Sequence, residues 1–203
     1  MSGPLILAST SRYRRRLLED AGIDHRVAEP DFDERALDGH LTEWGDERLA
    51  VEVARGKARS VVPDDASGGA LVLAADQLAV LDDELLTKPG DVETAVAQLV
   101  RMSGREHRLV NGIVLRDTAT GREWSATDVH VVRLAPYDAA AARAYVEAFR
   151  PLDCVGSYRL EDDAGLIESV EGGDASGIIG LPIPTVRRLL AAAALASSES
   201  ALP

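Results

Sequence analysis

Blocks of apolar residues alternate with polar blocks along this chain, and together they predict strands and helices in turn. Short continuous apolar runs are typical of buried strands, and longer strand-forming stretches are typical of half-buried strands. The predicted strands lie at 5–8, 71–75, 78–81, 108–116 and 123–134, with two more inside 156–170. The segment 117–121, Asp-Thr-Ala-Thr-Gly, joins the two longest strands and predicts a hairpin.

Helices are predicted where apolar residues recur at helical spacing behind a capping residue. Ser11 precedes the first helix and Gly22 follows it, as is typical of helix ends. The predicted helices span 12–21, 46–61, 91–102 and 138–149, and a last helix follows Gly-Leu-Pro at 180–182 and ends near 195, before a frayed tail from 197. Because helices and strands alternate while the hairpin is antiparallel, we expect an α/β protein with a mixed sheet.

Length and composition bound the organisation of the chain. Its 203 residues are 46% hydrophobic and 28% charged, which favours one domain over 1–203, or two small lobes that share a core. The formal net charge of −12 disfavours a nucleic-acid polymer or an anionic membrane as partner.

Cysteine usage and the apolar runs favour a cytoplasmic protein. The single cysteine, Cys154, permits no intrachain disulfide and favours a reducing compartment. The first residues lack the basic lead and long apolar run of a signal peptide, and no apolar stretch approaches the roughly 20 residues of a membrane span.

Lysine is rare in this chain. Only Lys57 and Lys88 are lysines among 22 basic residues. A compact, strongly hydrated ammonium is a common point-charge ligand for phosphate and differs from a planar guanidinium. The two lysines therefore mark candidate phosphate-binding positions, and the alternative is that they merely escaped the arginine bias.

The start of the first helix is a candidate anion site. Ser9 and Ser11 bring two hydroxyls to a helix N-terminus, where unpaired N–H groups and the helix dipole favour negative charge. Arginines at 12, 14, 15 and 16 oppose the dipole unless an anion sits there. The alternative is that Ser11 is an ordinary cap and the arginines form a solvated face.

Two acidic positions are candidates for metal binding or general-base chemistry. Asp76 follows a buried apolar run, and loops beyond strand ends are where α/β proteins place ligands. Asp33 and Glu34 add a second acidic pair, and two carboxylates with substrate phosphates frequently hold magnesium. The alternatives are a turn cap at Asp76 and a solvated loop at the pair.

Seven short motifs occur in order from residue 5 to about residue 190. They are Leu-Ile-Leu-Ala-Ser-Thr-Ser-x-x-Arg at 5–14, Asp-Glu at 33–34, Ala-x-x-Lys-Ala at 54–58, Ala-Asp-Gln at 75–77, Lys-Pro at 88–89, Ser-Gly-x-x-His at 103–107 and Gly-Leu-Pro at 180–182. Each is weak alone, but the ordered set resembles the Maf-type nucleoside triphosphate pyrophosphatases.

The resemblance implies both fold and reaction. The expected fold, shared by Maf and ITPase-like proteins, is a mixed twisted sheet flanked by helices, with two lobes around a nucleotide cleft. The expected reaction is hydrolysis of a nucleoside triphosphate between its α- and β-phosphates, with a divalent cation (Mg, Mn or Co). Such an enzyme would remove non-standard nucleotides from the pool, and the family suggests a homodimer.

The resemblance also implies residue roles. Asp76 is the expected catalytic base, Glu34 and Asp76 are the expected metal ligands, and the expected phosphate ligands are Ser9, Ser11, Arg14, Lys57 and Lys88. Gln77 directly after the aspartate resembles the branch that acts on 7-methyl-GTP, whereas the dTTP and UTP branch typically has threonine there. Glu161 is expected near the base, because the methylated guanine is positively charged.

The chain departs from the family pattern at two places, and two other functions stay open. Arg12 stands where proline is usual, which bears on helix entry, and 162–165 replaces a more glycine-rich turn, which bears on the base pocket. The alternatives are a dTTP or UTP pyrophosphatase, and a nucleotide-binding regulator of cell division with incidental catalysis.

Overall fold

The computed structural model describes residues 3–63, 69–162 and 164–199, apart from the side chains of Glu161 and Glu199. Its strands are β1 (Leu5–Ala8), β2 (Arg26–Ala28), β3 (Leu71–Leu81), β4 (Glu84–Leu86), β5 (Glu106–Asp117), β6 (Glu123–Leu134) and β7 (Ile167–Gly172). Its α-helices are α1 (Arg12–Asp20), α2 (Leu41–Ser60), α3 (Val92–Met102), α4 (Ala139–Phe149), α5 (Ala175–Ile179) and α6 (Ile183–Glu199). Short 3-10 helices lie at Glu34–His40, Val155–Ser157 and Leu160–Asp162.

These strands form one mixed sheet. Its order is β2-β1-β3-β5-β6-β7, and β4 pairs with β3. β1 runs parallel to both β2 and β3, whereas β3–β4 and β6–β7 are antiparallel pairs. β5 and β6 are neighbours joined by a short turn in which Asp117 N–H donates to the Arg122 carbonyl at 2.9 Å, as the predicted hairpin requires. The predicted mixed α/β class is confirmed.

The chain divides into two compact units. The first unit contains Met1–Asp76, Asn111–Asp128 and Asp174–Pro203. The second contains Gln77–Val110 and Val129–Gly173. Among the described residues, no helix has the length and apolar character required to cross a membrane.

Helices cover both faces of the sheet within the first unit. Leu7 and Leu73 point to one face and pack with Leu18 of α1 and with the apolar side of α6. Their strand neighbours Ile6 and Val72 point to the opposite face and pack with alanines of α2. Strand side chains alternate between faces, so a strand covered on both sides must be apolar throughout. This explains why the runs at 5–8 and 71–75 carry no polar alternation.

A glycine sets the depth at which α2 lies on the sheet. A Cβ atom built on Gly112 of β5 would lie 2.2 Å from the backbone carbonyl carbon of Ala50 in α2. Real Cβ atoms essentially never come that close, so only glycine fits at this crossing. The backbone of α2 therefore rests directly on the backbone of β5.

The second unit packs α3 against α4 and against the 3-10 helix Val155–Ser157. Leu99 and Met102 of α3 and Val146 of α4 are fully buried. Asp91 Oδ1 caps α3 by accepting Thr94 N–H at 2.8 Å, so the predicted N-terminus of this helix is confirmed.

β3 differs from its prediction in a way that concerns Asp76. The runs at 71–75 and 78–81 are parts of one 11-residue strand, so Asp76 and Gln77 lie inside a strand and not in a loop beyond its end. The expectation of a loop at Asp76 is therefore wrong. Two polar residues ended the predicted strand, but an ion pair compensates the buried charge of Asp76 and allows the strand to continue.

The region before β7 also differs from its prediction. Among the described residues of 156–170, one of the two predicted strands forms, and it begins at Ile167. Gly156 and Ser157 have positive φ values of 76° and 60°, and such angles cannot continue an extended strand.

The remaining differences concern element ends and short elements. Asp82 and Asp83, at φ 53° and 62°, form the turn after β3, and Glu84 begins β4. Gly45, at φ 74° and ψ 165°, is not helical and divides a short first part of α2 from the part that starts at the predicted residue 46, and α6 reaches Glu199, two residues past the predicted start of the tail at 197. The short elements β2 and α5 were not predicted, since neither is long enough to show a periodic pattern.

Candidate active site

A buried ammonium group joins two carboxylates in the first unit. Lys57 of α2 is only 4% exposed. Its Nζ lies 2.6 Å from Asp76 Oδ1 and 3.0 Å from Glu34 Oε1. Asp76 is 6% exposed, whereas the side chain of Glu34 is 48% exposed. A buried charge is costly unless it is paired, so these three side chains form one electrostatic group.

Packing positions each member of this group. Lys57 follows α2 residues that are buried against the sheet, and Asp76 belongs to β3, which that helix covers. Glu34 begins a 3-10 helix whose preceding residue, Asp33, caps it by accepting Arg35 N–H at 3.1 Å. Helix, strand and capped turn therefore bring three charges together that are far apart in sequence.

Gly56 lets the loop before Glu34 lie against α2. A Cβ atom on Gly56 would lie 2.3 Å from ring carbons of Phe32. The Phe32 ring therefore occupies the space that any side chain at position 56 would need. Because Phe32 precedes Glu34 by two residues and Gly56 precedes Lys57, this contact helps to hold the ion pair in place.

Arg14 lies within electrostatic reach of the same carboxylates. Its Nε donates to the Gly180 carbonyl at 3.0 Å, which turns this half-buried side chain away from the exposed face of α1. Burial lowers the pKa of Arg14, while the charges of Asp76 and Glu34 raise it. The guanidinium stays charged at neutral pH, because arginine is not deprotonated in proteins.

The other arginines of the basic cluster behave differently. Arg15 and Arg16 pair with Glu19 and Asp20 on the exposed face of α1, at 3.9 and 2.9 Å. For these two residues the alternative of a solvated helix face is correct. Arg12, which replaces the usual proline, is the first residue of α1, so helix entry is preserved.

Ser9 and Ser11 stand together at the N-terminus of α1. Ser11 Oγ accepts Arg14 N–H at 3.3 Å, which confirms the predicted cap. Ser9 is buried, and its Oγ accepts Ser11 N–H at 3.1 Å. Each hydroxyl acts here as an acceptor and keeps its own hydrogen as a donor. This arrangement can bind an anion at the helix N-terminus.

Asp38 is a further carboxylate that the sequence analysis missed. Partial burial raises the pKa of Asp38, Arg35 opposes this effect, and the negative charges of Asp76, Glu34 and Asp33 raise it further. Asp38 is therefore electrostatically coupled to the buried group. The only sequence signal was its spacing of four residues from Glu34 in a helical segment.

The donors present fit a divalent cation shared with a phosphate ligand. Asp76 and Glu34 direct oxygens toward one positive charge, the Lys57 ammonium. Among the described residues, no group of three His, Cys, Asp or Glu side chains is placed to hold a metal ion by itself. Magnesium is usually held by one or two carboxylates with substrate phosphates and water, so two carboxylates are sufficient.

The other predicted substrate ligands belong to the second unit. Gln77 follows Asp76 in β3 and is half-buried. Lys88 is exposed in the loop between β4 and α3, next to the buried Pro89. Glu161 lies in the 3-10 helix Leu160–Asp162, and its side chain is outside the described residues, as is Asp163 of the unusual turn. The roles of these residues stay predictions.

His107 is buried beside Tyr158. Its Nε2 lies 2.9 Å from the Tyr158 hydroxyl, and burial lowers the pKa of His107 to about 4. The imidazole is therefore neutral at physiological pH.

Sequence comparison identifies related proteins. Residues 4–193 match the Maf-like protein family. The 7-methyl-GTP pyrophosphatase of Burkholderia lata is 40% identical over 190 residues, which cover 93% of this chain and 89% of that protein. The 7-methyl-GTP pyrophosphatase of Vibrio cholerae is 37% identical over 187 residues, which cover 92% of this chain and 93% of that protein.

A solved structure aligns with nearly the whole chain. The nucleoside-triphosphatase, or dITP/XTP pyrophosphatase, of Mycobacterium abscessus aligns over 99% of this chain and 98% of its own, with 15% identity and a TM-score of 0.42. That score is too low to support a conclusion.

Proposed function

The chain belongs to the Maf family, and on that premise we propose that it is a nucleoside triphosphate pyrophosphatase acting on 7-methyl-GTP. Water attacks the α-phosphorus, the bond from that phosphorus to the αβ-bridging oxygen breaks, and the products are a nucleoside monophosphate and pyrophosphate. Relatives that share 37–40% of its residues over most of both chains carry the name 7-methyl-GTP pyrophosphatase. The observation that supports the chemistry best is the buried Lys57 ammonium between Asp76 and Glu34.

Asp76 is the proposed general base. Its carboxylate is buried and fixed by Lys57 at 2.6 Å, so its position is defined before substrate binds. A carboxylate within hydrogen-bond reach of a water can take the proton as that water attacks phosphorus. The proton passes to Asp76, and the bridging oxygen leaves with pyrophosphate.

Positive charge and donors for the triphosphate come from the same unit. Phosphoryl transfer is catalysed mainly by positioning and charge neutralisation. Lys57 and Arg14 supply two cations, and the hydroxyls of Ser9 and Ser11 supply donors at a helix N-terminus. A divalent cation (Mg, Mn or Co) held by Glu34 and Asp76 would neutralise further phosphate charge.

Three roles in this proposal rest on the family resemblance. Lys88 binds substrate phosphates, while Gln77 and Glu161 select the base. A carboxylate complements the positive charge of a methylated guanine, and this is the chemical reason to assign Glu161. We also propose that 1–203 acts as a single pyrophosphatase domain, as a homodimer, in the cytoplasm.

A panel of nucleoside triphosphates tests the proposal. Release of pyrophosphate and monophosphate is measured for 7-methyl-GTP, GTP, dTTP and UTP, with each of the three metals. We expect the highest kcat/KM for 7-methyl-GTP. A tenfold preference for dTTP or UTP, about 1.4 kcal/mol in transition-state binding, would make the substrate assignment wrong. Tight nucleotide binding without pyrophosphate release under any condition would favour the alternative of a nucleotide-binding regulator.

A further inference from the structure

The loop that carries Lys88 is fastened on both sides of the lysine. Before it, the Thr87 carbonyl accepts a hydrogen bond from Gln98 Nε2 at 2.9 Å. After it, Gly90 N–H donates to the Leu152 carbonyl at 3.1 Å. Pro89, between these tethers, is buried and has a fixed φ angle, whereas Lys88 itself is exposed. The backbone of an exposed lysine is therefore held in one place.

Gln98 is in turn fixed by Ser157. The Ser157 hydroxyl donates to Gln98 Oε1 at 2.6 Å, and the two residues are 0% and 9% exposed. A carbonyl can only accept, so the Gln98 NH₂ must face Thr87 and its amide oxygen must face Ser157. Both ends of this amide are used, and an apolar side chain of the same size could replace neither bond.

The backbone of Ser157 indicates that its hydroxyl is needed. Ser157 has a φ of 60°, in the left-handed region. A residue with a Cβ atom is strained in that region, whereas glycine is not. A serine in that conformation accepts backbone strain, and its hydroxyl makes a hydrogen bond to Gln98 that glycine could not make.

We propose that Gln98 and Ser157 are positioning residues that set the reach of Lys88 toward the substrate phosphates. The inference rests on the proposed function, in which Lys88 binds phosphates. Lysine is a point charge on a flexible stem, so the place of its backbone decides where the ammonium can go. A displacement of about 1 Å in a positioning group can cost on the order of a hundredfold in rate.

A double-mutant cycle tests the proposal through kinetics. We expect Gln98→Met to lower kcat/KM roughly tenfold. This is less than the loss of about a hundredfold expected for a full 1 Å displacement of the lysine. In a Lys88→Ala background, Gln98→Met should add no further loss, because it acts through the lysine. Ser157→Gly should lower kcat/KM in the same direction with only a small change in melting temperature, since relief of the left-handed strain offsets much of the lost hydrogen bond.

A matched control removes a similar bond on the same helix. The Tyr137 hydroxyl donates to the Leu99 carbonyl at 2.9 Å, one residue beyond Gln98. Tyr137→Phe deletes that bond without touching the loop that carries Lys88, and we expect its kcat/KM to match the wild type. A loss equal to that of Gln98→Met would assign both effects to general destabilisation of α3 and overturn the proposal.

Lysine labelling gives a readout that does not need turnover. Lys57 is buried and Lys88 is exposed, so an amine-reactive reagent distinguishes the two lysines of the chain by mass spectrometry. A non-hydrolysable triphosphate analogue should protect Lys88, and Gln98→Met should need several-fold more analogue for half protection. Unchanged protection would overturn the inference.

The two experiments separate the inference from the proposed function. A wild type that releases no pyrophosphate refutes the proposed activity, and the labelling still decides whether Gln98 positions Lys88 toward a triphosphate. An active wild type with an impaired Lys88→Ala, together with a silent Gln98→Met, refutes the positioning role alone. A silent Lys88→Ala refutes the role of Lys88 and the inference with it.

Discussion

Replacing Asp76 by asparagine separates catalysis from folding at the buried ion group. The variant keeps the shape of the side chain and removes one negative charge. Its amide oxygen still accepts the hydrogen bond that Lys57 Nζ makes to Asp76 at 2.6 Å. We therefore expect a folded protein that has lost its general base.

The expected losses of rate and of folding free energy in Asp76→Asn follow from the two roles of the carboxylate. Losing a general base costs about 10²- to 10⁴-fold, or roughly 3–5 kcal/mol of transition-state stabilisation. Breaking a buried ion pair costs about 3–5 kcal/mol of folding free energy when the partner is left uncompensated. Here Glu34 remains 3.0 Å from Lys57, so we expect a smaller cost, on the order of 1–3 kcal/mol.

The assay compares Asp76→Asn with Asp33→Asn. Asp33 lies in the loop that leads to Glu34 and caps a 3-10 helix, and asparagine caps as well as aspartate does. Both variants lose one negative charge near the site, so their difference isolates the buried carboxylate. Pyrophosphate release is measured at saturating metal, with thermal melting in parallel. Near-normal turnover in a folded Asp76→Asn protein would refute the role of Asp76 as base.

Three further predictions follow from features of the two units. Lys88→Arg should lower kcat/KM despite conserving charge, because a planar guanidinium holds phosphate at a different distance and angle. The control Arg122→Lys, at an exposed position, should leave kcat/KM unchanged. Equal kcat/KM values for the two variants would mean that the lysine at position 88 has no particular role. Gly56→Ala should displace Phe32 and lower metal-dependent turnover, although alanine favours the helix more than glycine does. A variant that is fully active and more stable than the wild type would contradict this. Burial lowers the pKa of His107 to about 4 from an ordinary 6.5, so between these pH values the unfolded chain binds a proton that the folded protein does not. The free energy of unfolding should therefore fall by about 2 kcal/mol from pH 7 to pH 5. Urea unfolding of His107→Gln should not show this decrease.

Much of the architecture was predictable because its signals are local. The two-sided burial of β1 and the first half of β3 follows from runs without polar alternation, and Ser11 and Asp91 cap helices where the sequence places them. The course of β3 through Asp76 was not predictable from the strand itself. The residue that neutralises Asp76 is Lys57, 19 positions away, and only the folded chain brings the two together.

The composition of the site was partly predictable and its geometry was not. Lysine rarity singled out Lys57 and Lys88, and the buried pairing of Lys57 agrees with a particular role. The inward turn of Arg14, in contrast to Arg15 and Arg16, depends on the Gly180 carbonyl, which lies 166 positions away in sequence. Tethers such as Gln98 to Thr87 leave no periodic pattern, because one amide in an amphipathic helix looks like any other polar residue.

The contact of α2 with Gly112 restricts which residues the protein can accept at position 112, although that position is not among the proposed substrate ligands. Ala50 rests on that glycine, and Lys57 follows seven residues later, about 10 Å further along the helix axis. A single added methyl group at position 112 would push this part of α2 away from the sheet and would displace the Lys57 ammonium with it. Saturation mutagenesis at position 112 should therefore return glycine almost alone, although the residue touches no substrate. Libraries that seek new base preferences should leave it fixed and diversify the second unit.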